Sequence, residues 1–68
     1  MLNLCFDIGS DFYPTELNFE TFDAATDYVL STEVTESMYA CMNAVLTCTE
    51  TLAEFQFDFE MGDWVKLT

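Results

Sequence analysis

The chain has 68 residues, 51% of them hydrophobic and 16% aromatic, with thirteen Asp and Glu, one lysine and a net charge of −12. That aromatic content excludes a disordered acidic tail, and the lack of His and Arg removes the commonest general base, the commonest zinc ligand and any basic nucleic-acid-binding patch. No run reaches the roughly 18 to 20 apolar residues of a helical membrane span.

Residues 2–8, "LNLCFDI", alternate Leu2, Leu4, Phe6 and Ile8 with Asn3, Cys5 and Asp7. That period of two predicts a half-buried strand. The opening segment has no positive region and meets Asp7 early, so it is not read as a signal peptide, and a cytoplasmic protein is expected. "GSDFYP", residues 9–14, reads as a turn or loop punctuated by Gly9 and Pro14.

Residues 18–30, "NFETFDAATDYVL", predict a short extended piece running into a helix. Phe22, Ala25, Val29 and Leu30 form its apolar stripe, Thr21 is a candidate N-cap, and Asp23 lies in the first turn. Thr15, after Pro14, offers an earlier start. The helix would then place Glu16, Glu20, Asp23 and Asp27 at i, i+4, i+7 and i+11, on one face opposite the apolar stripe.

Residues 31–52 carry the strongest helical spacing, through Val34, Met38, Cys41, Met42, Val45, Leu46 and Leu52. Ser31 or Thr32 can cap such a helix, with Glu33 and Glu36 near its positive end. A second line of small residues, Ser37, Ala40, Ala44, Thr47 and Thr51, would let another backbone approach. The neighbouring helix is the first expectation for that face, and a homodimer contact through Ser37, Ala40, Ala44 and Thr47 the second. Cys41 and Cys48 would lie about 10 Å apart along this helix, too far for a disulfide. With Cys5 the cysteines are three, and they are read as reduced and buried.

Residues 54–68 predict a hairpin in which Phe55, Phe57 and Phe59 alternate with Gln56, Asp58 and Glu60. A three-residue loop, Met61-Gly62-Asp63, would set Phe59 opposite Val65, Phe57 opposite Leu67 and Asp58 opposite Lys66 on the solvent face. The predicted order is strand, helix, helix, strand, strand, with a minor strand allowed at residues 17–20. The fold class is α+β: a small antiparallel sheet with two helices packed on one face, in one domain spanning residues 1–68.

Catalytic signatures are missing. There is no nucleophile elbow, phosphate-cradling loop or zinc motif. "DIGSDFYPTELN" faintly suggests a calcium loop, but Phe12 stands where that loop needs Gly and Asn18 where it needs Glu. No enzyme, no cofactor and no metal site are expected.

One lysine cannot neutralise thirteen acids. Carboxylates about 5–7 Å apart on a helix or strand approximate a row of backbone phosphates. A rigid protein bearing such rows is steered to the Lys/Arg-lined groove of a nucleic-acid-binding protein and competes there with DNA. The alternatives are a merely solvated acidic surface and halophilic adaptation; the latter is expected to economise on large hydrophobes, which this chain does not.

In size, acidity and aromatic content the whole chain resembles the DNA-mimic inhibitors of bacteriophages and mobile elements: anti-restriction proteins, inhibitors of DNA-repair glycosylases and several anti-CRISPR proteins. The resemblance rests on composition rather than on a motif, so no residue is carried over from it. It implies as target a host defence nuclease or CRISPR effector complex, in the host bacterial cytoplasm if the chain is phage-encoded. The expected partner is a basic nucleic-acid-binding protein, with no direct binding of nucleic acid and no membrane. The expected contact residues are Glu16, Glu20, Asp23, Asp27, Glu33 and Glu36, a second patch at Asp58 and Glu60, and the aromatics Tyr28 and Trp64. For Trp64 the competing expectation is that it covers the sheet edge. A different class of function is an acidic adaptor or small homodimer that binds a basic protein without competing with DNA; an antitoxin-like half of a pair is a third.

Overall fold

The computed structural model describes residues 1–9 and 11–67. It is a small α+β protein with one five-stranded antiparallel sheet in the order β2-β1-β3-β4-β5. The strands are β1 (Leu2–Ile8), β2 (Asp11–Phe19), β3 (Asn43–Cys48), β4 (Glu54–Asp58) and β5 (Asp63–Lys66). Between β2 and β3 the chain forms α1 (Phe22–Val29), a one-turn α2 (Thr32–Thr35) and a 3-10 turn, Met38–Cys41. Among the described residues no helix is long and apolar enough to cross a membrane.

The alternation of β1 holds for Leu2, Leu4 and Phe6, which are buried against the helices, whereas Ile8 at the strand end is exposed. The predicted turn at 9–14 is corrected. Gly9, at φ +63, has the left-handed conformation that short hairpins favour, and Ile8 pairs with Asp11. Phe12, Tyr13 and Pro14 then continue as β2. Pro14 is tolerated because β2 is an edge strand, where a missing N–H breaks no ladder. The register slips between Asn3 and Cys5. Side chains bridge the slip: Thr15 Oγ1 donates to the Leu4 carbonyl, and Asn3 Nδ2 donates to the Thr15 carbonyl at 3.2 Å.

The helix α1 begins where its cap predicts. Thr21 is extended and its Oγ1 accepts from the Ala24 N–H at 3.1 Å, satisfying one of the orphan donors of the first turn. An earlier start at Thr15 is excluded, because Glu16 belongs to β2 and Glu20 to the bend that follows it. The long helix over residues 31–52 is also corrected. Its first part is α2 and the 3-10 turn; its second part is β3, the central strand. Ala44 and Leu46 face the helices, while Val45 points to the other face and is still only 1% exposed. A central strand hidden on both sides shows no period of two, so its apolar residues happened to fit a helical spacing.

Leu2, Leu4, Phe6, Ala25, Val29, Val34, Ala44, Leu46 and Phe57 form the core between the sheet and the helices. Tyr39, from the 3-10 turn, stacks on Phe6 with ring centroids 4.3 Å apart. No polar or charged side chain is buried among the described residues.

The terminal hairpin forms in another register. Phe55 pairs with Lys66, Gln56 with Val65, Phe57 with Trp64 and Asp58 with Asp63. The turn is longer than expected because Asp58 organises it. Its Oδ1 accepts from the N–H groups of Glu60 at 2.9 Å and Met61 at 3.1 Å, and Gly62, at φ +69, closes the loop on the Asp58 carbonyl. The shift turns Trp64 rather than Val65 and Leu67 toward the helices, and the larger aromatic surface decides it. The expected Asp58–Lys66 neutralisation is therefore absent. Among the described residues, the ion pair present joins the Met1 ammonium to Glu50 at 3.6 Å.

Candidate acidic interaction surface

Every one of the thirteen carboxylates lies on the surface, exposed or half-buried. Two groups of them stand on opposite sides of the sheet. On the helix side Asp23 and Asp27 are exposed one turn apart on α1, opposite the buried Ala25 and Val29. Glu33 follows in the first turn of α2 and Glu36 at its end. Glu16 leaves this group for the β2 edge, and Glu20 sits in the bend before Thr21. The predicted four-residue stripe is thus reduced to the Asp23–Asp27 pair, because only those two share a helix.

The open face of the sheet holds the other group. Register places Cys5, Val45, Gln56 and Val65 in one row across β1, β3, β4 and β5. Further along the same face, Asp7 pairs with Asn43 and Asp58 with Asp63, while the β3–β4 pairing ends at Val45 and Gln56. Neighbouring strands are about 4.8 Å apart, so Asp58 and Asp63 face each other at that spacing, and Asp7 lies on the same face beyond β3. Asn43 donates from Nδ2 to Asp7 Oδ1 at 3.0 Å. Glu54 lies on the same face toward the other end of β4.

Cys5 senses this charge. Burial pushes its thiol above the ordinary value, and the negative charges of Asp7 and Glu54 push it further. Cys48 behaves oppositely: hydrogen bonding from Thr51 lowers its thiol. Cys5 is buried, as expected, but Cys41 is exposed and Cys48 half-buried, a correction that follows from the loss of the long helix. All three are free thiols.

The two predicted aromatic anchors turn inward. Tyr28 is half-buried against Phe19, ring centroids 5.7 Å apart. Trp64 packs on Phe57 at 5.0 Å and its indole N–H donates to Thr26 Oγ1 at 2.9 Å. It ties the edge strand β5 to α1 and covers the sheet edge. Glu60 stands exposed in the hairpin loop beside Phe59, which is 55% exposed.

The small-residue face does not exist. Ser37 caps the 3-10 turn through Tyr39 N–H, Ala40 lies within that turn, Ala44 is buried against the helices, and Thr47 points to the opposite face. On this sheet face, the acids that were not among the expected contact residues are Asp7, Glu54 and Asp63. Asp7 had a usable signal, since the alternation of "LNLCFDI" already set it opposite the Leu and Phe residues. Asp63 had none without the register.

Among the described residues, no three Cys, Asp or Glu side chains converge as metal ligands would. A cleft of about 230 Å³ between sheet and helices is lined by Phe6, Val29, Val34, Tyr39, Met42 and neighbours, without a titratable carboxylate or thiol. No family model, curated protein or solved structure matches this chain.

Proposed function

We propose that the protein is an inhibitor that mimics nucleic-acid phosphates and occupies the basic groove of a host defence nuclease or CRISPR effector complex, acting in the host bacterial cytoplasm by occupancy rather than catalysis. The observation that carries this reading is the group Asp7, Asp58 and Asp63 on one sheet face, with Asp58 and Asp63 directly opposed across the hairpin. Like charges directly opposite in a hairpin oppose folding. A rigid group of uncompensated acids gains from meeting a complementary group of Lys and Arg. Asp23 and Asp27, with Glu33 and Glu36, supply a second such surface on the helix side.

A second reading is an acidic adaptor that binds a basic protein without competing with DNA. It is favoured by the exposed apolar residues beside the acids, among them Phe59, Met61 and Leu67, which a phosphate mimic does not need.

The experiment is capture from nuclease-treated and untreated bacterial lysate, followed by challenge of the captured complex with duplex DNA. Displacement by DNA supports mimicry, a ternary complex supports the adaptor, and saturable binding of DNA by the purified protein itself overturns both. Charge-removing pairs then locate the surface. Asp7→Asn with Asp63→Asn should slow association if the sheet face binds, and Asp23→Asn with Asp27→Asn if the helix face does.

A further inference from the structure

An open groove of about 420 Å³ runs along the terminal hairpin, lined by Gln56, Phe57, Asp58, Phe59, Val65 and Leu67, with Glu60 on its rim. Its apolar lining is Phe57, Phe59, Val65 and Leu67, the last three substantially exposed. Its polar edge is acidic. Asp58 commits one oxygen, Oδ1, to the turn N–H groups, and Glu60 is exposed at the tip. An exposed aromatic and aliphatic lining beside carboxylates suits one side chain above others. Arginine combines a planar, weakly hydrated cation that stacks on aromatic faces with a fork of N–H donors matching a carboxylate. Lysine offers a hydrated point charge and no planar stack.

We infer that this groove seats an arginine side chain of a basic partner, stacked on Phe59 and hydrogen-bonded to Asp58 or Glu60. The inference rests on the reading of a basic partner, but not on displacement of DNA. Charge complementarity selects the occupant. A second copy of this chain brings another net charge of −12 and Lys66 as its one cationic side chain, so like repels like across the groove. With Tyr28 and Trp64 turned inward, Phe59 is the most exposed aromatic of the hairpin, set edge-to-face against Phe57 at 4.8 Å.

The test titrates the intact protein with a short oligoarginine and an oligolysine of equal length, followed by amide chemical shifts. Both peptides should bind through charge. Oligoarginine should bind about two- to fivefold more tightly, the size of an exposed cation–π contact, with its extra shifts at Gln56–Glu60, Val65 and Leu67. Phe59→Ala should bring the two affinities together while leaving oligolysine binding unchanged, and Met61→Ala, outside the groove, should preserve the preference. Equal affinities in the unmodified protein overturn the inference, and so do arginine-specific shifts centred on Asp23 and Asp27. Groove shifts that grow with concentration of the protein alone would give the groove to a second copy and overturn it as well. The unmodified protein decides by itself if Phe59→Ala fails to fold. An arginine preference mapped to the groove, together with a partner that DNA does not displace, would keep this inference and reject phosphate mimicry.

Discussion

Trp64 donates its indole N–H to Thr26 Oγ1 at 2.9 Å, and Thr26 in turn donates to the Phe22 carbonyl at 2.9 Å. The hydroxyl joins the edge strand to the backbone of α1. Since Trp64 also packs on Phe57 and Phe22, one residue fixes both the hairpin register and the seat of the helix.

Trp64→Phe keeps much of the aromatic packing and leaves the threonine hydroxyl without its donor. It should cost about 0.5–1.5 kcal/mol, lowering the melting temperature by roughly 4–8 °C per kcal/mol in a protein of this size. Thr26→Val should cost a similar amount, and the double variant less than the sum of the two. Additive losses in thermal melts would show that the bond contributes nothing.

The carboxylates of Asp58 and Asp63 stand opposite each other but carry different duties. Asp58 accepts two turn N–H groups, so Asp58→Ala should destabilise by about 1 kcal/mol. Asp63 accepts from the Trp64 N–H at 2.8 Å, a bond that an amide oxygen can keep, while its charge faces that of Asp58. Asp63→Asn should therefore stabilise by a few tenths of a kcal/mol. Chemical denaturation with a constant slope measures both, and a loss on Asp63→Asn would contradict the assignment.

The raised thiol of Cys5 fixes a sign. The fold holds this proton more tightly than the unfolded chain does, so the stabilisation is complete below the ordinary thiol value, about 8.5. It is lost as pH rises through the raised folded value. The lowered Cys48 acts in the opposite direction, so the comparison to make is the alkaline slope of stability with and without Cys5→Ala. The variant should lose less stability as pH rises. Alkylation at mildly alkaline pH should also leave Cys5 last, and Asp7→Asn should speed it by removing one repelling charge.

Uncompensated acids on two surfaces make the fold sensitive to screening. Raising monovalent salt from about 0.01 M to 1 M shortens the Debye length from about 30 Å to 3 Å, and the melting temperature should rise. Asp63→Asn should reduce that gain. A melting temperature independent of salt would mean that the acids are too dispersed to repel.

The sequence was readable where one physical signal acted alone. The alternation of Leu2, Leu4 and Phe6 has a single explanation and appears in the structure; of the two helix starts that the sequence offered, Thr21 rather than Thr15 is the cap. Errors arose where two explanations fit the same residues. Ala44, Val45 and Leu46 are apolar in succession because β3 is buried on both faces, which erases the strand period and leaves a false helical one. Pro14 reads as a breaker unless its strand is known to be an edge. In the hairpin, Val65 and Leu67 alternate as well as Trp64 and Lys66 do. The choice depends on a four-residue turn built by the Asp58 side chain and on the helix that Trp64 meets. The acidic surface was legible as a property but not as a map, because rows of charge follow strand pairing rather than spacing along the chain.

The strand order has a consequence for how the molecule comes apart. Each outer hairpin, β1–β2 and β4–β5, is made by neighbours in sequence, but the central seam pairs Leu2 with Cys48 and Asp7 with Asn43, separations of 46 and 36 residues by subtraction. The core draws on both sides of that seam, with Leu4 and Phe6 from one hairpin, Phe57 from the other, and Val29 and Val34 from the segment between. Neither hairpin can keep a dry interior alone, and an isolated two-stranded unit is marginal in water. Unzipping the seam therefore exposes the whole core at once. Closing it requires the long, slow search for distant partners that sets the folding rate of such topologies, so a nick anywhere between the hairpins should cost the protein its entire structure rather than half of it.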